Sequence, residues 1–187
     1  MKRTMLFIMG MALSAAVAAA ELAGVKLADR LTLAGSELVL NGAAVRRTPM
    51  ADIYVGALYL PRRQSSPAGV MEDRGPRRLQ MAFLVDAPAE QLVGSFVGGL
   101  SKNHGKPEME AMKAEVEQLV AIIRSIGQVS SGQSLLLDFV PGRGPVISHD
   151  SAAKGSISGD AFHDALLRIW LGENPPSPDM KKAMLGN

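Results

Sequence analysis

Ile53 to Leu60, IYVGALYL, is the stretch that most narrows what this chain can become. It holds eight residues with two tyrosines and no charge, and it is apolar at both alternating sets of positions. A strand that shows water on one face alternates polar and apolar; one that does not must be covered on both sides. The segment is therefore expected to be a central strand. Upstream, Leu38 to Leu40 runs into Asn41-Gly42, a dipeptide at ease with positive φ, and Ala43 to Arg46 leads back out, which predicts a hairpin turning at Asn41-Gly42. Arg46 is the anomaly. It ends an apolar strand just before the segment expected to be buried, so its guanidinium either reaches back to solvent or offers a fixed fork of donors to a carboxylate or enolate-like oxygen.

At the start, Lys2 and Arg3 precede an apolar run from Met5 to Val17 that closes on Ala18-Ala19-Ala20. A basic n-region, a short apolar h-region and small residues at a cleavage point read as an export leader over residues 1–20, cut before Glu21. The run is shorter than the roughly 20 residues of a spanning helix. A periplasmic or secreted domain over residues 21–187, without a stable membrane anchor, is the expectation. Lys2 and Arg3 also supply the whole +2 excess of the chain, so the remainder is formally neutral. Nucleic-acid binding, which requires a clustered basic surface, finds no support. With no cysteine, thiol chemistry, disulfides and zinc-thiolate sites are excluded.

The rest divides by period. Leu79, Met81 and Phe83 alternate with Ala82 and Leu84 as a strand. From Ala89 the spacing becomes helical through Leu92, Val93, Phe96 and Leu100, ending at Asn103-His104-Gly105, and a second helix is expected from Pro107 to Ile126, its glutamates forming a solvated face. Leu135 to Val140, Pro145 to Ser148 and Lys154 to Ile157 return to strand. Asp138 within the first of these requires a partner if buried. Helices over Asp160 to Leu171 and after Ser177-Pro178 close the chain. Strands, helices, strands, helices predict an α+β domain, a mainly antiparallel sheet with a layer of helices on one face. Arg62, Arg63, Arg77 and Arg78 read as solvated loop charges. The methionines read as core filling before pocket lining. His104, His149 and His163 lack ligand spacing and read as structural; no metal site and no cofactor motif is present.

Asn41 to Arg46 with Ile53 to Leu60, and Gly159-Asp160-Ala161-Phe162 with Ile169-Trp170-Leu171-Gly172 and Pro176 to Lys181, resemble the chalcone isomerase family, in particular its bacterial chalcone isomerase-like branch. The resemblance implies an open-faced β-sandwich. It also implies an arginine at Arg46, a tyrosine at Tyr54 where the plant enzymes carry threonine, and Leu92 and Gly99 where those enzymes place a tyrosine and an asparagine. Three functions follow as expectations: an exported, non-catalytic binder of a small amphipathic or aromatic ligand such as a fatty acid, with Arg46, Tyr54 and Tyr59 as candidate ligand-binding residues; an intramolecular lyase acting on an enone; or a scaffold whose cleft is filled by its own side chains. Tyr54 and Tyr59 fall on opposite faces of a regular strand, so at most one shares the side of Arg46. Asp52 is the nearest internal rival for its charge, ahead of Glu37.

Overall fold

The computed structural model describes residues 19–187. Apart from Ala19 and Ala20, the expected leader lies outside the described residues. The first elements are two hairpins. Strands β1 (Ala19–Leu22) and β2 (Val25–Ala28) pair through Ala23-Gly24, and β3 (Arg30–Leu33) pairs with β4 (Ser36–Arg47) through Ala34-Gly35. All four turn residues have positive φ, the geometry of the two-residue turn whose twist matches its strands.

Next come β5 (Asp52–Leu60), α1 (Pro67–Glu72) and β6 (Arg77–Phe83). A two-strand clip of β7 (Ala87–Pro88) and β8 (Gln128–Val129) brackets α2 (Ala89–Asn103), α3 (Lys106–Ala111) and α4 (Lys113–Ile126). β9 (Ser134–Val140), β10 (Gly144–His149), β11 (Ala152–Ser156), α5 (Ala161–Leu171) and α6 (Pro178–Met184) complete the chain. Seven strands form one curled antiparallel sheet in the order β11-β10-β9-β6-β5-β4-β3. The uncharged Ile53 to Leu60 of β5 is thus held between two neighbours, as its composition demanded.

Each face of the sheet has its own apolar cluster. Leu58, Leu79, Met81, Phe83, Leu135, Leu137 and Ile147 point to the helices, meeting Leu92, Phe96, Leu119, Leu166 and Trp170. Val55, Ala57, Tyr59 and Ala82 point the other way, toward Leu38 and toward Leu27 of the small β1–β2 hairpin. The helices lie on one face only, which is the α+β layering read from the sequence.

Three expectations fail, each for a definable reason. Asn41-Gly42 does not turn: β4 runs straight through it with a bulge between Leu40 and Gly42. Asn41 is buried and its side chain is committed elsewhere, donating to the carbonyls of Gln64 (2.9 Å) and Met184 (2.7 Å) and accepting from the Gln64 amide (2.7 Å). Gly42 is required because a Cβ there would lie 1.9 Å from the Ala183 carbonyl oxygen, so α6 seats against bare backbone. The hairpin closes instead at Thr48 to Ala51, where the Thr48 hydroxyl caps the turn.

The long helix expected from Pro107 is broken at Met112 (φ −101°, ψ 17°) into α3, which buries no residue fully, and α4, which buries Leu119 and Ile123. Arg77 and Arg78 are not solvated loop charges; both lie on β6. Arg77 is fully buried under the helices, donating to Asp164 (2.9 Å) and the Val70 carbonyl (2.8 Å) with its guanidinium 4.7 Å from the Phe139 ring centre. Arg78 faces the other way and grips both oxygens of Asp138, at 2.5 and 2.6 Å, which supplies the partner that a buried Asp138 required.

Candidate functional site

The register of the sheet puts Arg46 opposite Tyr54, and Tyr54 opposite Phe83, so three strands contribute one row of side chains beneath α2. Over this row, between α2, α5 and the segment before α6, lies a cleft of about 380 Å³, within the roughly 300–1,000 Å³ of small-molecule sites. Its walls are mostly apolar. Phe83 comes from the sheet, Leu92 and Phe96 from α2, Ile169 and Trp170 from α5, and Pro175 from the last connection. A Cβ at Gly94 or Gly98 of α2 would meet nothing within 4 Å, whereas at Gly99 it would stand 2.7 Å from Ile169, so α2 packs closely on α5 there.

Tyr54 is the polar centre. Its ring packs on Phe83 at 5.6 Å between centres, and its hydroxyl oxygen accepts from the Trp170 indole N–H at 2.9 Å. Indole nitrogen only donates, so the phenol proton of Tyr54 is left for another acceptor. Burial pushes the phenol pKa up, opposed more weakly by Trp170 and Arg46, and the group stays a neutral donor.

Arg46 lies half-buried at the mouth. Its Nη1 donates to the Arg47 carbonyl (2.5 Å), and among the described residues it forms no ion pair. Neither internal rival claims it: Asp52 binds Arg47 at 3.2 Å and Glu37 binds Arg30. No Asp or Glu lines the cleft.

Of the three candidates from the sequence, Arg46 and Tyr54 come together and Tyr59 does not. Tyr59 sits on the far face of the sheet, fully buried beside Arg78, and burial pushes its hydroxyl pKa up to about 12. The two-residue period of a strand decides this. Trp170 was legible only as a core position of a helix; nothing in its local pattern says that its N–H is aimed at Tyr54. The histidines do not converge here, and among the described residues no group of three His, Cys, Asp or Glu is placed to hold a metal.

A family model described as chalcone isomerase-like matches residues 19–186. The chain belongs to the chalcone isomerase-like family. The crystal structure of the Arabidopsis thaliana fatty-acid binding protein AtFAP1 shares the fold, with a TM-score of 0.68 at 10% identity, covering 90% of this chain and 96% of that one. No curated protein matches in sequence. Within the chalcone isomerase-like fold, Arg46, Tyr54, Leu92 and Gly99 all line the one cleft. The last two offer no side-chain hydrogen bond to anything bound there.

Proposed function

We propose that this protein is an exported, non-catalytic binder of a small amphipathic acid, a fatty acid being the type, with Arg46 receiving the carboxylate and Tyr54 donating a second hydrogen bond. The observation that carries this reading is a half-buried guanidinium at the mouth of an apolar cleft that holds no carboxylate of its own. Likeness of fold to a fatty-acid binding protein supports it. The leader at residues 1–20, cut before Glu21, directs the remaining single domain to the periplasm or beyond. A cleft of this size also argues against a scaffold filled by its own side chains.

The lyase reading is weaker for a chemical reason. Closing a ring on an enone requires donors that order the attacking oxygen and polarise the ketone, and Leu92 and Gly99 supply none from their side chains. Flavanone formation from a chalcone is expected at the spontaneous rate. A rate enhancement that Arg46→Ala abolishes would restore the enzyme.

Titration calorimetry with hexadecanoic acid and hexadecanol tests the binder. A charge-assisted hydrogen bond contributes about 1.5–3 kcal/mol, so Arg46→Gln should weaken the acid about ten- to a hundredfold and leave the alcohol little changed. Equal loss for both, or saturable binding of neither, counts against a carboxylate receiver.

A further inference from the structure

Trp170 is the only tryptophan of the chain, it is buried in the last turn of α5, and its N–H is spent on the Tyr54 hydroxyl oxygen at 2.9 Å. Packing holds the indole in place independently of that bond. Phe96 of α2 meets it edge-on, with 5.9 Å between ring centres and 77° between planes. The neighbouring Ile169 is set against Gly99 so closely that a Cβ there would stand 2.7 Å away. Tyr54 is held as firmly, its backbone in β5 and its ring against Phe83.

Two fixed rings joined by one hydrogen bond give a proton a direction. A phenol hydrogen lies near the plane of its ring, on one of two sides of the oxygen. The indole N–H donates and never accepts, so the side that faces Trp170 is closed to the Tyr54 hydrogen. Among the described residues the hydroxyl has no other hydrogen-bond partner. Arg46 stands opposite Tyr54 in the β4–β5 register, where Cβ atoms are about 4.5–5.5 Å apart, so one group in the cleft can meet both side chains.

We infer that Trp170 is a positioning residue of the cleft: it closes one side of the Tyr54 oxygen, makes Tyr54 a donor only, and so turns the site toward an acid and away from its alcohol. The inference rests on Arg46 as carboxylate receiver with Tyr54 as the second donor. A hydrogen bond to a carboxylate is roughly twice as strong as one to a neutral oxygen, so a fixed donor favours the acid. Released from Trp170, the same oxygen is free to accept from an alcohol O–H, and the preference falls.

Titration calorimetry with hexadecanoic acid and hexadecanol across a double-mutant cycle tests it. Trp170→Phe keeps an aromatic ring and removes the donor, and the ratio of acid to alcohol affinity should fall about two- to tenfold, as for one hydrogen bond. In a Tyr54→Phe background the same change should leave that ratio where Tyr54→Phe alone puts it. Equal weakening of both ligands in both backgrounds, the mark of packing alone, overturns the inference. The single indole N–H resonance supplies a reading that leaves Trp170 intact. It should shift in Tyr54→Phe, and shift in the wild-type protein when hexadecanoic acid binds; a resonance unmoved by either also overturns the inference. A ratio that falls with Arg46→Gln but not with Trp170→Phe removes the role of Trp170 alone. A ratio indifferent to Arg46→Gln, or saturable binding of neither ligand, removes the receiver at Arg46 and the role of Trp170 with it.

Discussion

Arg46 and Arg77 project from the same face of the same sheet and are treated in opposite ways. At the closed end, Arg77 has a carboxylate from Asp164, a carbonyl from Val70 and the face of Phe139, with His163 stacked on that same ring at 4.5 Å. At the cleft end, Arg46 has a neighbouring carbonyl, a tyrosine and open space. A guanidinium shut away from water must be partnered by the chain that buries it, and Arg77 is. A guanidinium left half-open and without a carboxylate has its strongest interaction in reserve for something that arrives.

The largest test of that contrast is Arg77→Ala. It leaves Asp164 with only the exposed Arg74 (3.1 Å) and empties a fully buried position, and breaking a buried pair costs about 3–5 kcal/mol, read as a fall in the urea midpoint. Asn41→Ala asks the same of the seam between β4 and α6. The carbonyl of Met184 loses its donor in a buried setting, and a loss of about 1–3 kcal/mol with exposure of α6 to proteolysis is expected. A change under about 0.5 kcal/mol would mean that water replaces the amide without penalty.

His163 gives the closed end a pH dependence. Burial first, and the nearby Arg77 second, hold its pKa well below the ordinary 6.5, so the folded protein keeps the ring neutral while the unfolded chain takes up a proton. Stability is therefore flat in this group above pH 6.5 and declines below it, by up to about 1.4 kcal/mol per pH unit. His163→Phe should remove that part of the slope in pH-dependent unfolding, and an unchanged slope would show the ring protonated in place. The smallest effect belongs to Arg46→Gln, whose folding stability should move by no more than about 0.5 kcal/mol. A loss comparable to that of Arg77→Ala would make Arg46 structural and collapse the contrast.

How far the sequence could lead depends on the reach of each interaction. The alternation of Leu79, Met81 and Phe83 and the charge-free run Ile53 to Leu60 are local patterns, and they placed both strands and their faces correctly. Tyr54 and Tyr59 were separated by the same two-residue period. Asn41-Gly42 misled because its turn preference is local, while the groups that overrule it, Gln64 and Met184, lie far along the chain. Arg77 and Arg78 misled because charge next to a proline loop suggests solvent, whereas Asp164 and Asp138 come from distant elements to pair with them. Of the cleft, Arg46 and Tyr54 stood out as polar groups in apolar surroundings. Trp170 did not, since it is an ordinary choice for a buried place on a helix.

The seat of α6 on Gly42 and Asn41 has a consequence in time. Asn41 waits for the carbonyl of Met184, 143 residues later, and at about 5–20 residues per second a ribosome delivers it roughly 7–30 s after Asn41 has been made. Any β4–β5 pairing that forms before Met184 is available lacks the helix that covers it. Until α6 docks, Gly42 and Gly56 leave backbone uncovered on β4 and β5, so a folding stage that precedes α6 is the one most open to a chaperone or to another copy of the chain.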